Sequence, residues 1–242
     1  MSKGVYIALS GAVAQENALG STATNVANTS SAGYQRLRPI FRQALASAVG
    51  QDPELRYVTT SRTAIDTTPG ALRTTDRPLD IALPPGVYLA TTTARGERFT
   101  RAGALQVDKD GALQTAGGAT VASEGGTPFA IAAGGGEVHI DADGTVKQGK
   151  NAIGKLKLVK FEKPDALAPE GSSLLAVGGA GAMTPATELV TVGAVEESNA
   201  QPVQAMTELM TASRTFEAFQ KVLDQFGEID RKLLTSVPSA TE

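Results

Sequence analysis

PVQAMTELMTASRTFEAFQKVLDQFGEIDRKLLTSV, residues 202–237, opens on Pro202 and meets no second proline until Pro238, with Gly227 as its one glycine. Proline suits a first helical turn, where its missing N–H is not needed, and ends a helix where it recurs. One helix of that length would reach roughly 50 Å. Its apolar residues fall in heptads, with Ala205, Ala212, Phe219, Phe226 and Leu233 on one position and Leu209, Phe216 and Leu223 on the other. A 3.5-residue repeat keeps one seam toward a partner helix. Val222 and Ile229 widen the stripe beyond a two-helix seam, which points to more than one neighbour, and Asp230 interrupts it.

Working outward, a matching element lies at the other end, over about residues 3–28. Val5, Ala12, Leu19 and Val26 stand one heptad apart, with Leu9 and Ala23 on the second position and Glu16 breaking that row. So narrow a stripe buries too little surface to hold a lone helix, and it needs the C-terminal helix or other subunits. An intramolecular helical hairpin and an assembly seam both satisfy this periodicity. The predicted class is therefore α+β, with long N- and C-terminal helices forming a coiled-coil-like domain around a central all-β domain.

The middle of the chain replaces heptads with Thr, Val, Gly and short alternating runs. Asp110-Gly111 and Asp143-Gly144 each sit between two such runs and supply the positive φ of tight hairpin turns. Further strands are expected at 79–83, 87–92, 155–161 and 189–192. The predicted division is a terminal helical domain from 1–40 with 198–242, an extended connection from 41–76 with 186–197, and a β-domain over 77–185.

Composition removes several classes of function. With 22 basic and 25 acidic residues, a formal charge of -3 and no like-charge block, neither nucleic acid nor an anionic membrane is expected as a main partner. Arg36, Arg38 and Arg42, like Arg95, Arg98 and Arg101, read as solvated faces or partners of nearby carboxylates. No Cys is present, so thiolate zinc sites and disulfides are excluded, and the one His leaves no metal cluster to build. Val5-Tyr-Ile-Ala-Leu9 with Ala12-Val13-Ala14 superficially has the form of a cleaved leader, but Ser10 and Gly11 break it and the same residues serve the helix. Nothing approaches a membrane span of about 20 apolar residues.

Candidate chemistry is weak. Gly144 to Lys150 and Gly149 to Lys155 begin as phosphate loops, yet Asn151 and Leu156 stand where a Ser or Thr must reach magnesium, and an alternating strand pattern follows instead of a helix. Asp108 with Asp110, and Asp141 with Asp143, lack the remaining ligands of a calcium loop and read as turns. His139 reads as a strand residue. Glu196 and Glu197 carry no assignable acid–base role without geometry. No catalytic residue, cofactor or metal is expected.

Four stretches carry a resemblance. Asn25-Val-Ala27-Asn28-Thr-Ser-Ser-Ala-Gly33-Tyr34 halts the first helix and turns the chain before an aromatic anchor. It resembles the signature of the bacterial flagellar rod and hook family, with Thr24 in place of a first Asn and Ser31 in place of the usual Thr. Glu197-Ser198-Asn199-Ala-Gln-Pro202-Val, with Met206, Arg214, Phe216 and Glu217, is similar to that family's C-terminal segment. Arg77-Pro-Leu-Asp-Ile-Ala-Leu83 and Phe99-Thr-Arg-Ala-Gly-Ala-Leu105 extend the likeness across the chain, which is most similar to proximal-rod members, with distal-rod members next.

The resemblance implies a non-enzymatic subunit of the basal-body rod. It implies export through the flagellar type III apparatus without a cleaved signal, a place in the periplasmic rod, and as partners other copies of itself and other rod proteins. Interface anchors are then expected at Val5, Leu9, Leu19, Val26, Leu209, Phe216, Phe219, Leu223, Phe226 and Leu233. The alternatives are a distal-rod or hook-type subunit of the same family and, as the main rival from another class, a monomeric secreted β-protein that binds glycan or a receptor through glycine-rich loops, with a carbohydrate-active enzyme using loop carboxylates as a weaker third.

Overall fold

A computed structural model describes residues 3–45, 56–132, 134–171 and 173–236. Helix α1 spans Lys3–Ala27 and helix α2 spans Pro202–Ser236, with short strands and one single-turn 3-10 helix between them. The chain divides into two compact units. One gathers the described residues of Met1–Val26, Arg38–Thr63 and Val203–Glu242, and the other gathers Ala27–Leu37 and Ala64–Pro202.

In the first unit α1 and α2 run antiparallel. The Phe226 ring lies against Gly4, the Phe219 ring against Gly11, and Gln15 Nε2 donates to the Ala212 carbonyl at 3.2 Å. A Cβ on Gly11 would stand 2.6 Å from Phe219 Cε1, so the ring occupies the space that a side chain would need. Ala8, Gly11, Ala12, Ala18, Thr22 and Asn25 are buried, as are Ala205 and Ala212. The rest of the described part of this unit comes from a two-stranded ribbon of Leu37–Leu45 and Arg56–Ile65, whose outer residues Leu37, Ala64 and Ile65 belong to the other unit.

The coiled-coil expectation is corrected here, although the α+β class stands. Among the described residues there are two α-helices, and no coiled coil forms. A coiled coil needs apolar knobs from both helices seated in four-residue holes. The face that α1 turns to α2 instead carries small residues one heptad apart, Gly4, Gly11 and buried Ala18, and the first two receive the rings of Phe226 and Phe219. Leu9, expected on the seam, is 47% exposed. Val5, Leu19 and Val26 flank the small row and are half-buried.

The second unit is built on a nine-stranded antiparallel sheet whose centre is Val87–Thr93. That strand pairs with Gly96–Thr100 on one side and with Leu158–Phe161 and Thr120–Val121 on the other. Side chains alternate across a strand, and here both faces are covered. Val87 and Leu89 enter a cluster with Ile81, Leu105, Leu113, Val121, Val146 and Leu156, while Tyr88 and Ala90 enter a second with Tyr34, Phe99, Phe161 and Leu167. Phe161 meets Tyr88 and Phe99 edge-on, with centroids 5.7 and 4.8 Å apart.

Both Asp-Gly turns close hairpins, joining Leu105–Val107 to Leu113–Thr115 and Val138–Ile140 to Thr145–Gln148. Gly111 and Gly144 take φ of 78° and 85°. The strand expected over 155–161 divides instead, because Lys155 ends the strand Asn151–Lys155 and Leu156 forms an isolated bridge to Ser123 before Leu158–Phe161 joins the large sheet.

Candidate assembly surface and its anchoring motifs

The two family motifs meet inside the β-rich unit. After α1 the chain turns through Asn28, whose carbonyl accepts the Ser31 N–H at 3.2 Å and whose Oδ1 accepts the Ser31 hydroxyl at 3.0 Å. Gly33 follows with φ 66°, and a Cβ there would lie 2.2 Å from the Arg101 carbonyl carbon. Conformation and close approach both demand glycine. The Gly33 N–H donates to the Glu196 carbonyl at 2.8 Å, and the Asn199 N–H to the Tyr34 carbonyl at 3.2 Å.

Asn199 does more than occupy a turn. Its Oδ1 accepts the Arg36 N–H at 2.6 Å, and its Nδ2 donates to the carbonyls of Asp66 and Thr68, both at 2.8 Å. Ser198 Oγ accepts the Ala200 N–H at 3.1 Å, two residues before Pro202 begins α2. Tyr34 is buried, and burial pushes its phenol up to about 12. Burial likewise raises the phenol of Tyr88, whose hydroxyl donates to Gln35 Oε1 at 3.2 Å.

Behind this junction lies a feature absent from the sequence reading. Arg101 and Glu196 are both buried and paired, Arg101 Nε donating to Glu196 Oε2 at 2.8 Å and Nη2 to the same oxygen. The remaining guanidinium N–H groups donate to the carbonyls of Leu83, Pro84 and Val87 at 3.0, 3.0 and 2.7 Å, so all five donors are used. Glu196 Oε1 accepts the Gly70 N–H at 2.9 Å. The pair spans 95 positions, and no local pattern announces it. The one available signal was that Arg101 and Glu196 each stood in or beside a family motif.

The expected turn residues do turn the chain. Asp108 Oδ1 accepts the N–H groups of Asp110 and Ala112 at 2.9 and 2.8 Å, and Asp143 accepts the Thr145 N–H at 2.9 Å. His139 lies in its strand, opposite Lys147.

The expected anchors scatter. Leu209, Phe216, Phe219, Leu223 and Phe226 form the half-buried stripe of α2, while the side chain of Leu233 lies outside the described residues. Asn25, Asn28, Gly33 and Tyr34 are buried, and Ala27 and Pro202 are exposed. Large apolar side chains also stand on the outer faces, and of these the heptads had selected only Leu9. Tyr6, Leu9 and Val13 share one face of α1, and Val203, Met206 and Met210 share one face of α2, with Val203 79% and Met210 58% exposed. Each set sits at i, i+3, i+7 spacing, the signal that could have found it.

Comparison with known proteins follows the same residues. A family model described as the flagellar basal body rod FlgEFG protein C-terminal matches residues 191–236, and one described as the flagellar hook protein FlgE/F/G D1 domain matches residues 86–148. Arg101 lies in the second match and Glu196 in the first. The chain is 34% identical over 243 residues to the flagellar basal-body rod protein FlgF of Escherichia coli (strain K12), covering 94% of this chain and 95% of that one. It is 29% identical over 241 residues to FlgF of Rhizobium meliloti (strain 1021), covering 97% and 98%. Against the rod protein FlgG of Bacillus subtilis (strain 168) it is 27% identical over 264 residues, covering 97% and 98%. With a β-rich middle, a helix at each end and the two motif segments bonded to each other between them, this chain belongs to the flagellar basal-body rod protein family and is FlgF-like within it.

Proposed function

We propose that the chain is a structural subunit of the proximal rod that polymerises through its terminal helices into a torque-transmitting shaft. The observation that carries this reading is the pair of exposed apolar stripes, Tyr6, Leu9 and Val13 on α1 and Val203, Met206 and Met210 on α2. Both lie outside the glycine–phenylalanine contact between the helices, so pairing α1 with α2 leaves them in water. Side chains of this size in rows on a helix gain free energy when a neighbouring helix covers them, about 1.5–3 kcal/mol each when burial is complete. The seam residues Phe216, Phe219, Leu223 and Phe226, with Leu209, Leu233, Val5, Leu19 and Val26, complete the proposed interface.

Copies of this chain and other rod proteins are the proposed partners. Export through the flagellar type III apparatus, without a cleaved signal, and a place in the periplasm belong to the same proposal. No catalytic role is assigned. A distal-rod position is the second reading, supported by the full-length likeness to FlgG of Bacillus subtilis. Labelling this subunit in isolated basal bodies separates the two.

The test uses residues exposed in the isolated chain. Leu9→Lys with Met206→Lys should leave the purified chain's melting unchanged and abolish incorporation into rods, read as lost motility. Normal motility in that double variant would sink the helical interface. Limited proteolysis at low concentration should trim both ends while the middle resists, since each stripe lacks its cover. Ends as resistant as the middle would count equally against it.

A further inference from the structure

We infer that residues 33–36 and 196–199 form a force clamp, so that tension entering the β-rich unit from α1 and α2 passes directly between them and spares the nine-stranded sheet. This stands apart from the proposed place in the rod, because it concerns how one folded chain bears a pull.

The β-rich unit receives the chain at Ala27 and returns it at Pro202. Three hydrogen bonds join the entering and leaving segments: Gly33 N–H to the Glu196 carbonyl, Asn199 N–H to the Tyr34 carbonyl, and Arg36 N–H to Asn199 Oδ1. As residue number rises from 33 to 36 on one side, the partners rise from 196 to 199 on the other, so both segments run the same way. Tension enters at the N-terminal end of one and leaves at the C-terminal end of the other. That geometry shears the pair, and bonds loaded in shear must yield together rather than one after another.

Neither segment can slide on its own. Arg101 holds Glu196 through a buried ion pair, and Gly33 is pinned against the Arg101 backbone with no room for a Cβ. Asn199 Nδ2 and Glu196 Oε1 also hold the third passage of the chain, at Asp66, Thr68 and Gly70. Every strand pair of the nine-stranded sheet lies between Val87 and Pro185, beyond the clamp along the chain.

Single-molecule pulling on the full chain tests this, and the absence of native cysteine lets Ala27→Cys and Gln201→Cys carry handles without competing thiols. Asn199→Ala removes one of the three cross-links, so the rupture force should fall by about a third. Asp108→Ala weakens a turn elsewhere in the unit, and should lower the melting point while leaving the rupture force unchanged. A force untouched by Asn199→Ala, or lowered as far by Asp108→Ala, overturns the clamp. A measurement free of clamp mutations moves one handle to Lys109→Cys at a hairpin tip, where bonds unzip one by one. Rupture there should come at lower force, and an equal or higher force also overturns the proposal.

Discussion

The two compact units of this chain treat their apolar side chains in opposite ways. In the β-rich unit Tyr88, Leu89, Leu113 and Leu156 are fully buried, and its buried arginine uses every donor. In the helical unit the closest contacts are rings on glycines, while tyrosine, leucine, valine and methionine side chains stand in water. The first closes a large core of its own, although Leu72 and Leu189 remain exposed on it. The second satisfies one face of each helix and leaves another exposed, as the proposed assembly through the helices requires.

The harshest way to break that contrast is to charge the seam. Phe216→Asp with Phe219→Asp places two carboxylates in the half-buried stripe of α2, one of them against Gly11 of α1, and should abolish incorporation into rods while the near-UV signal of buried Tyr34 and Tyr88 melts unchanged. Loss of that signal would mean that the units are not separable. The converse blow falls on the β-rich unit. Arg101→Met strands a buried Glu196, and should cost about 3–5 kcal/mol in urea unfolding, more than Arg101→Met with Glu196→Leu costs.

Two glycines on α1 sharpen the contrast with opposite signs. Gly11→Leu must displace the Phe219 ring and should destabilise the helical signal by about 1–3 kcal/mol. Gly20→Ala meets nothing within 4 Å and should stabilise it by about 0.5–1 kcal/mol. The smallest effect is electrostatic. The Arg98 guanidinium, with Arg95 beside it, holds Glu170 down at about 2, below its ordinary 4.5. A depressed carboxylate adds stability above its unfolded pKa and loses it as pH falls through the folded one. Glu170→Gln should therefore flatten the fall in the β-rich unit's melting temperature between those two values, and added salt should shrink the difference.

Local signals were legible in the sequence and distant ones were not. Pro202, Asp110-Gly111 and Asp143-Gly144 act within a few residues, and each marks an element that forms. The face of α1 that meets α2 was hidden for a physical reason. Gly4, Gly11 and Ala18 carry little hydrophobic signal, so the heptads selected Val5, Ala12, Leu19 and Val26 beside them and placed Leu9 inward. A coiled coil followed from that choice, and what forms instead depends on the absence of side chains. Asn199 was recognised through its motif, but its ties to Arg36, Asp66 and Thr68 join positions more than 130 apart in sequence. Periodicity has no reach over such distances.

The contact of Gly4 with Phe226 also sets an order in time. A unit that needs residues from both ends of the chain can close only once nearly all of it has been delivered, whereas most of the β-rich unit is one continuous run, Ala64–Pro202. If the chain is exported as proposed, threaded end-first through a narrow channel, it cannot complete its helical pair inside. It emerges with its two sticky ends necessarily apart, and the last stretch to arrive is the one that finishes the job.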